Sequence, residues 1–402
     1  MPKSLLSVVA GNTPDVRGKA VDHLLRRSPH AVVLAVSIQG RDGGYPFVQR
    51  FVSGVDAGPR GSVVRGTTGD PVVVLRQDLL TLRRGARPPH VVLTLPEELD
   101  VLPFLVELWR PRIGASALGD HYDPAPLMVA LDPASFLADI GCVHRAVALW
   151  NGIDRTAPLT PAEVAARQVE AADVLIVPGA GPSDERWDPS DERRAGGVAA
   201  LAGHLNPSAT LLPHAAHESG TGATGPAALT RPAPRGTIEE WRARLEPVTV
   251  RRPRRGIERS VESVLWRARR PLHPARLADA LADVMSGVVR SRGHLWLSSR
   301  PGSVVTWRSA GPHLELRETD RWLELGDEHA WRSASPQRRT MASWFWHDYY
   351  GERRNEIVFT GIDLDRDRLR SALDAALLND AELSLGPDGW AGIPDPLLAD
   401  PS

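Results

Sequence analysis

SLLSVVAGNTPDVRGKAVDHLL, residues 4–25, reads as an apolar run of strand length, a short loop holding Gly11 and Pro14, and a stretch with apolar residues at helical spacing. We assign it a strand over Ser4–Ala10 and a helix over Arg17–Arg27. The same alternation continues along the chain. His30–Ile38 (HAVVLAVSI) is a second strand, and Val72–Leu75, His90–Leu95 and Leu127–Asp132 are further apolar runs. Helical stretches such as Glu97–Trp109 separate them. Pro161–Ala172 opens with proline in its first turn, where the missing N–H has no intrahelical partner to lose, and feeds a strand at Asp173–Val177. Strands alternating with helices at this spacing predict an α/β fold with a doubly wound, mostly parallel sheet.

Beyond that unit the composition changes. Ser219–Gly236 and Arg251–Gly256 are rich in Gly, Pro and Arg without apolar periodicity, and a short helix is expected near Ile238–Leu245. Further on, Ser260–Ala268 alternates like a strand and Pro274–Arg290 is amphipathic. Three short strands follow at His294–Ser298, Val304–Arg308 and His313–Arg317. A helix at Pro336–Tyr349, a strand at Glu356–Gly361 and a helix at Arg366–Asn379 close a smaller α+β domain. The expected division is 1–218, a linker over 219–256, and 257–402. Nine of the twelve tryptophans lie from Trp241 onward, so the second domain has the means for a dense core.

Composition narrows the function classes. The chain has 402 residues, 42% apolar and 24% charged, with net charge −1, so nothing draws it electrostatically to nucleic acid or anionic lipid. Arg252 and its neighbours in RRPRRG read as a solvated face. A single cysteine, Cys142, excludes an intrachain disulfide and any multi-thiolate metal site. The run Leu5–Ala10 is too short for a signal-peptide core or a membrane span, so the expected location is the cytoplasm, without a membrane partner.

The C-terminal half carries recognisable text. RARRPLHPARLADAL (267–281), RSRGHLWLSSRPG (290–302), WRSAGPHLEL (307–316) and GERRNEIVFTGIDLDRDRLRSALDAALLNDAEL (351–383) resemble, in order and spacing, the C-terminal domain of the CobW-type P-loop metallochaperones. The resemblance implies a P-loop GTPase domain ahead of it and a role in handling zinc. There the framework agrees and the chemistry does not. A phosphate-binding loop needs glycines that let backbone N–H groups face phosphate, a lysine for the outer phosphates and a hydroxyl for Mg²⁺. Gly11 matches the first glycine, but the second falls on Val16, the lysine on Arg17 and the hydroxyl on Gly18. Using Lys19 instead gives the wrong loop length and puts Ala20 at the hydroxyl position. Arginine's planar fork does not substitute for lysine.

Three further motifs of the family are changed. Its Cys-x-Cys-Cys metal relay falls on Asp70, Val72 and Val73, ahead of a Leu75-Arg-Gln-Asp-Leu79 helix start that is kept. Thiolates are soft anionic ligands for zinc; valine binds no metal. Its Glu-Thr-Thr-Gly loop reads Thr94-Leu-Pro-Glu97, and its guanine-reading loop reads Pro178-Gly-Ala-Gly181. The expectation is a CobW-like binding or regulatory protein of metal homeostasis without GTP hydrolysis. No catalytic residue is assigned, and Mg²⁺–GTP is not expected. Its partners would be a metalloprotein client or a second copy of the chain.

Two alternatives stay open. One is a nucleotide hydrolase with a non-standard loop, using Gly11, Arg17 and Lys19. The other is a zinc-binding protein using His214 and His217, two histidines three apart that can share a zinc ion. Asp120–Asp123 (DHYD) reads as a turn, Cys142 near His144 as a core residue, and His273 as structural. His294, His313, His329 and His347 are scattered through the second domain. On the expected helix at Pro336–Tyr349, Trp344 with His347 and Trp346 with Tyr350 form two faces that need cover.

Overall fold

The computed structural model describes residues 2–40, 44–54, 62–85, 88–97, 99–112, 116–144, 159–178, 188–213, 229–390 and 392–398. The chain forms two compact units, Met1–Arg242 and Ala243–Ser402. Their boundary lies inside the stretch 219–256 read as a linker. Leu229 packs into a core of the first unit and Val248 into a core of the second.

One sequence device recurs at helix starts. Thr13-Pro14 opens α1 (Pro14–Arg27), Asp70-Pro71 opens α2 (Pro71–Arg84), and Asp132-Pro133 and Thr160-Pro161 open the helices Pro133–Ile140 and Pro161–Ala171. In each, the cap side chain accepts from a first-turn amide while proline, its φ already helical, takes the first position. This corrects two expectations. The first helix begins at Pro14, not Arg17, and Val72–Leu75 is the first turn of α2, not a strand. A good cap outweighs the β-preference of three valines.

The first unit is built on one large sheet. Its strands are β1 (Ser4–Gly11), β2 (Val32–Gln39), β3 (Phe47–Ser53), β4 (Ser62–Thr68), β5 (His90–Thr94), β6 (Tyr122–Pro124), β7 (Met128–Ala130), β8 (Val174–Val177) and β9 (Thr210–Pro213). The order is β4-β3-β2-β5-β1-β7-β8-β9, with β6 and β7 sharing one edge of β1. From β2 to β9 the strands run parallel, as expected for a doubly wound sheet, with β1 between β5 and β7. Between β5 and β6 lies the helix α3 (Val101–Leu108). After β7 come the helices α4 (Pro133–Ile140), α5 (Pro161–Ala171), α6 (Pro189–Leu205) and α7 (Thr237–Ala243).

The antiparallel pair β3–β4 at the sheet edge was not anticipated. Its strands mix charged and apolar residues, and Arg50 in β3 is buried because Asp78 of α2 receives its Nε at 2.7 Å. The kept Leu75–Leu79 motif therefore has structural work. Asp78 holds the hairpin, and Arg76 donates to the carbonyls of Glu107, Leu108 and Arg110 at the end of α3.

The second unit has an antiparallel sheet of β10 (Ile257–Glu258), β11 (Val261–Ala268), β12 (Val288–Leu295), β13 (Ser303–Ala310), β14 (His313–Arg321) and β15 (Asn355–Ile362). Its order is β10-β11-β15-β12-β13-β14. One face packs on α8 (Pro274–Val284) and α11 (Arg366–Ala375) through Trp266, Leu277, Leu295, Trp307, Phe359 and Leu373. A second cluster, with Val248, Trp296, Trp322 and Trp390, lies apart from that core.

The helix expected over Pro274–Arg290 ends at Val284. Gly287 then takes a φ of +73°, where a β-carbon would also stand 2.9 Å from the Ile362 carbonyl oxygen, and β12 starts immediately afterwards. The short helices α9 (Glu328–Ser333) and α10 (Pro336–Trp344) follow β14. Because α10 stops at Trp344, the later aromatics are not on a helix face. Tyr350 packs against Trp296, while Trp344 and Tyr349 are exposed.

Candidate functional site

In an open parallel sheet the natural ligand crevice lies beyond the carboxyl ends of the strands where the strand order reverses. Here that point is the β5-β1-β7 junction. It is lined by Gly11–Thr13 after β1, Leu95–Glu97 after β5 and Leu131–Asp132 after β7.

Only Asn12 and Thr13 separate β1 from α1. The three positions from Pro14 to Val16, which a phosphate-binding loop would need ahead of the helix, are helical. Val16 is buried in the core and Thr13 Oγ1 accepts from its amide at 3.4 Å. Gly11 is required by the sheet itself, since a β-carbon there would stand 2.4 Å from the Ala130 carbonyl oxygen of β7.

Side chains of the chain itself occupy the junction. Arg17 donates through Nη1 to the Gly11 carbonyl at 2.9 Å and pairs through Nη2 with Glu97 at 2.6 Å. Asn12 and Asp132 exchange hydrogen bonds. The Asp132 amide donates to Asn12 Oδ1 at 2.7 Å, and Asn12 Nδ2 donates back to the Asp132 carbonyl at 3.1 Å. Asp132 also caps α4 by accepting from the Ser135 amide.

Behind Glu97, Gln168 of α5 donates to its carbonyl. Arg167 pairs with Asp100 at 2.6 Å and with Glu163. Burial works against the Arg167 charge, but these two carboxylates outweigh it and raise the guanidinium's pKa. Asp139 of α4 is pushed up to about 6, by burial first and by the nearby Glu97 charge second. The junction is thus a polar cluster tying α1, α4 and the loop after β5 together.

The other sequence candidates are distributed elsewhere. Lys19 points to solvent from α1 and pairs with Asp15 at 3.0 Å. The Asp70 carboxylate accepts from the Val72 and Val73 amides as the α2 cap, and Val72 is buried. Cys142 Sγ lies 3.7 Å from His144 Nδ1, partly exposed. His121 contacts Ser116, and Asp120 accepts from the Ala117 amide, so DHYD begins as a turn; its Tyr122 then starts β6. His273 caps α8. His214 and His217 lie outside the described residues, as do Gly179–Gly181. Among the described residues no three of His, Cys, Asp and Glu come together as metal ligands, and no helix is long and apolar enough to cross a membrane.

Sequence reasoning missed Asn12, Glu97's pairing and Asp139. The only signal available was the Asn-Thr-Pro string itself, which marks a cap and a helix start rather than a loop.

Residues 261–377 match the family described as the cobalamin synthesis protein cobW C-terminal domain. The chain is 28% identical over 242 residues to the zinc-regulated GTPase metalloprotein activator 1 of Dictyostelium discoideum, covering 58% of this chain and 47% of that protein. It therefore spans about half the length of that relative. It is 27% identical over 326 residues to a Mycobacterium tuberculosis protein named as a zinc chaperone, covering 80% of this chain and 76% of the other. The Zn(II)-bound YjiA GTPase from E. coli aligns over 94% of this chain and 100% of its own at 11% identity and a TM-score of 0.35, too low to carry an argument.

Proposed function

From the premise that this is a CobW-type chain, with a CobW C-terminal domain over residues 261–377, we propose that it serves metal homeostasis as a binding or regulatory protein that does not hydrolyse GTP. The names of its relatives support the metal association. One is a zinc chaperone and another an activator of metalloproteins. The observation that carries the second half of the reading is the two-residue β1–α1 connection with Arg17 laid across it, from the Gly11 carbonyl to Glu97.

A nucleotide's β- and γ-phosphates need several backbone N–H groups aimed at one point, a mobile lysine and a hydroxyl for Mg²⁺. At this junction Pro14 has no N–H, the Val16 and Arg17 amides donate to Thr13, the equivalent of the lysine is a pinned arginine, and Glu97 and Asp132 add negative charge. The residues present do not fit Mg²⁺–GTP. Their physical effect is to hold the strand-end loops in one arrangement without a ligand, so a surface that nucleotide would switch in a GTPase stays permanently set. Zinc would be cargo, with His214 and His217 as its candidate ligands, and the partner a metalloprotein client.

Isothermal titration with GTP and GDP in the presence of Mg²⁺ should give no binding heat, and phosphate release should stay at the buffer rate. Micromolar binding with phosphate release would overturn the reading. Zinc titration of the wild type against a His214→Ala/His217→Ala variant separately tests the cargo ligands, and equal stoichiometry in the two removes them.

A further inference from the structure

The second unit's sheet ends on one side in β10, which is two residues long, and on the other in β14, which is nine. A long edge strand offers a row of backbone N–H and C=O groups to another strand, and such edges are normally shortened, bulged or covered. In β14 this is done at one end only. There the pairing with β13 shifts register between Val304 and Val305, and Arg338 of α10 donates to the Asp320 carboxylate and the Arg321 carbonyl. The other half, His313–Arg317, pairs with β13 in unbroken register and contains no proline. Arg317, Glu318 and Thr319 are exposed.

The register fixes which backbone groups face outward. Gly311 donates to the Val289 carbonyl of β12, so Ser309 and Trp307, two and four residues before it, also direct their backbone groups toward β12. Ala310, Arg308 and Thr306 therefore bond to His313, Glu315 and Arg317 of β14, and the backbone groups of Leu314 and Leu316 point away from the sheet. The side chains alternate as well. Leu314 and Leu316 pack against the core under α8 and α11, whereas Glu315 and Arg317 stand on the other face.

The charge pattern around Leu316, Glu315-Leu316-Arg317, then selects a partner. A second β14 laid antiparallel, with a twofold axis at Leu316, brings outward-facing backbone groups against outward-facing ones. Leu316 meets its own counterpart and Leu314 meets Glu318. On the other face Glu315 of each copy stands opposite Arg317 of the other, and opposite charges directly across a strand pair stabilise it. Axes at Glu315 or Arg317 set like charges face to face. Registers shifted by one residue set outward-facing groups against groups already bonded to β13. We propose that two copies of the chain associate through β14, antiparallel about Leu316, joining the sheets of their second units into one continuous sheet.

Charge exchange is the test. Sedimentation equilibrium of the full chain across a concentration series should show a reversible monomer–dimer equilibrium. Glu315→Arg makes the centre of β14 positive in both copies, and Arg317→Glu makes it negative. Each variant alone should therefore raise the dissociation constant about tenfold or more. Mixed in equal amounts, the two variants should pair with each other at close to wild-type affinity, because every arginine again faces a glutamate. Recovery on mixing also shows that both variants are folded. A wild type that stays monomeric, single variants that dimerise like the wild type, or a mixture that associates no more tightly than its components overturns the proposal.

Discussion

Arginine–carboxylate clusters stand in both units, and they differ in surroundings rather than chemistry. In the first unit Arg17 reaches Glu97 at the rim of the sheet, with side-chain exposures of 12% and 36%. In the second, Arg338 meets Glu352 with exposures of 3% and 0%, and Glu352 also accepts from the Leu323 amide. Water screens the rim pair and supports either partner if the other is removed. The buried pair has no such fallback. Its charges left water on folding, and each depends on the other for that loss. The first cluster therefore acts as a latch over a crevice, and the second as a structural knot.

The largest expected effect tests the knot. Glu352→Ala leaves Arg338 buried with only Asp320 to balance it, and should destabilise the protein by about 3–5 kcal/mol in chemical denaturation. A loss below about 1 kcal/mol would put the two clusters in the same class. Next comes Asn12→Ala, which removes the only acceptor seen for the Asp132 amide across the β1–β7 junction. A loss of about 1–2 kcal/mol is expected, because the group left unmade is half-buried.

Arg17→Ala should cost about 1 kcal/mol or less. It also sharpens the functional side of the comparison. If the proposed lack of GTP binding rests on loop length and not on this one side chain, the variant should show no GTP binding in a calorimetric titration either. A nucleotide signal appearing in Arg17→Ala would make the latch, rather than the loop, the reason for the absence.

The smallest effect is a change of slope. Asp139 holds its proton up to about pH 6, against an ordinary value near 3.8. The folded state thus binds more protons than the unfolded state between those values, and stability falls as pH rises through that window. Asp139→Asn should flatten this part of the stability–pH curve and raise stability at pH 7. A rising slope in the wild type over pH 4–6, reversed in the variant, would contradict the placement of Asp139 beside Glu97.

Much of the architecture was readable beforehand because it is written locally. The buried runs Ser4–Ala10, His90–Leu95 and Asp173–Val177 became β1, β5 and β8 almost unchanged. The four C-terminal motifs fell on β11–α8, β12, β13–β14 and β15–α11. The misplaced boundaries share a cause. Thr13-Pro14 and Asp70-Pro71 are cap-plus-proline starts, and apolar periodicity does not register a cap. The β3–β4 hairpin escaped because its inward arginine looks like a surface residue until Asp78, 28 positions away, is seen to meet it.

By itself the sequence determined which residue types are available: under the resemblance, Arg17, Gly18, Val72 and Val73 stand where a lysine, a hydroxyl and thiolates are expected, and folding does not change a residue's type. It also determined where helices begin, since a cap and its proline act within four residues. Only the tertiary structure decided which distant residues meet. Arg17 with Glu97 and Asn12 with Asp132 meet across 80 and 120 positions of chain. Such meetings depend on strand order and register, which no local pattern encodes. Whether an arginine ends as a solvated charge, a latch or a knot depends on how much water the finished fold leaves around it.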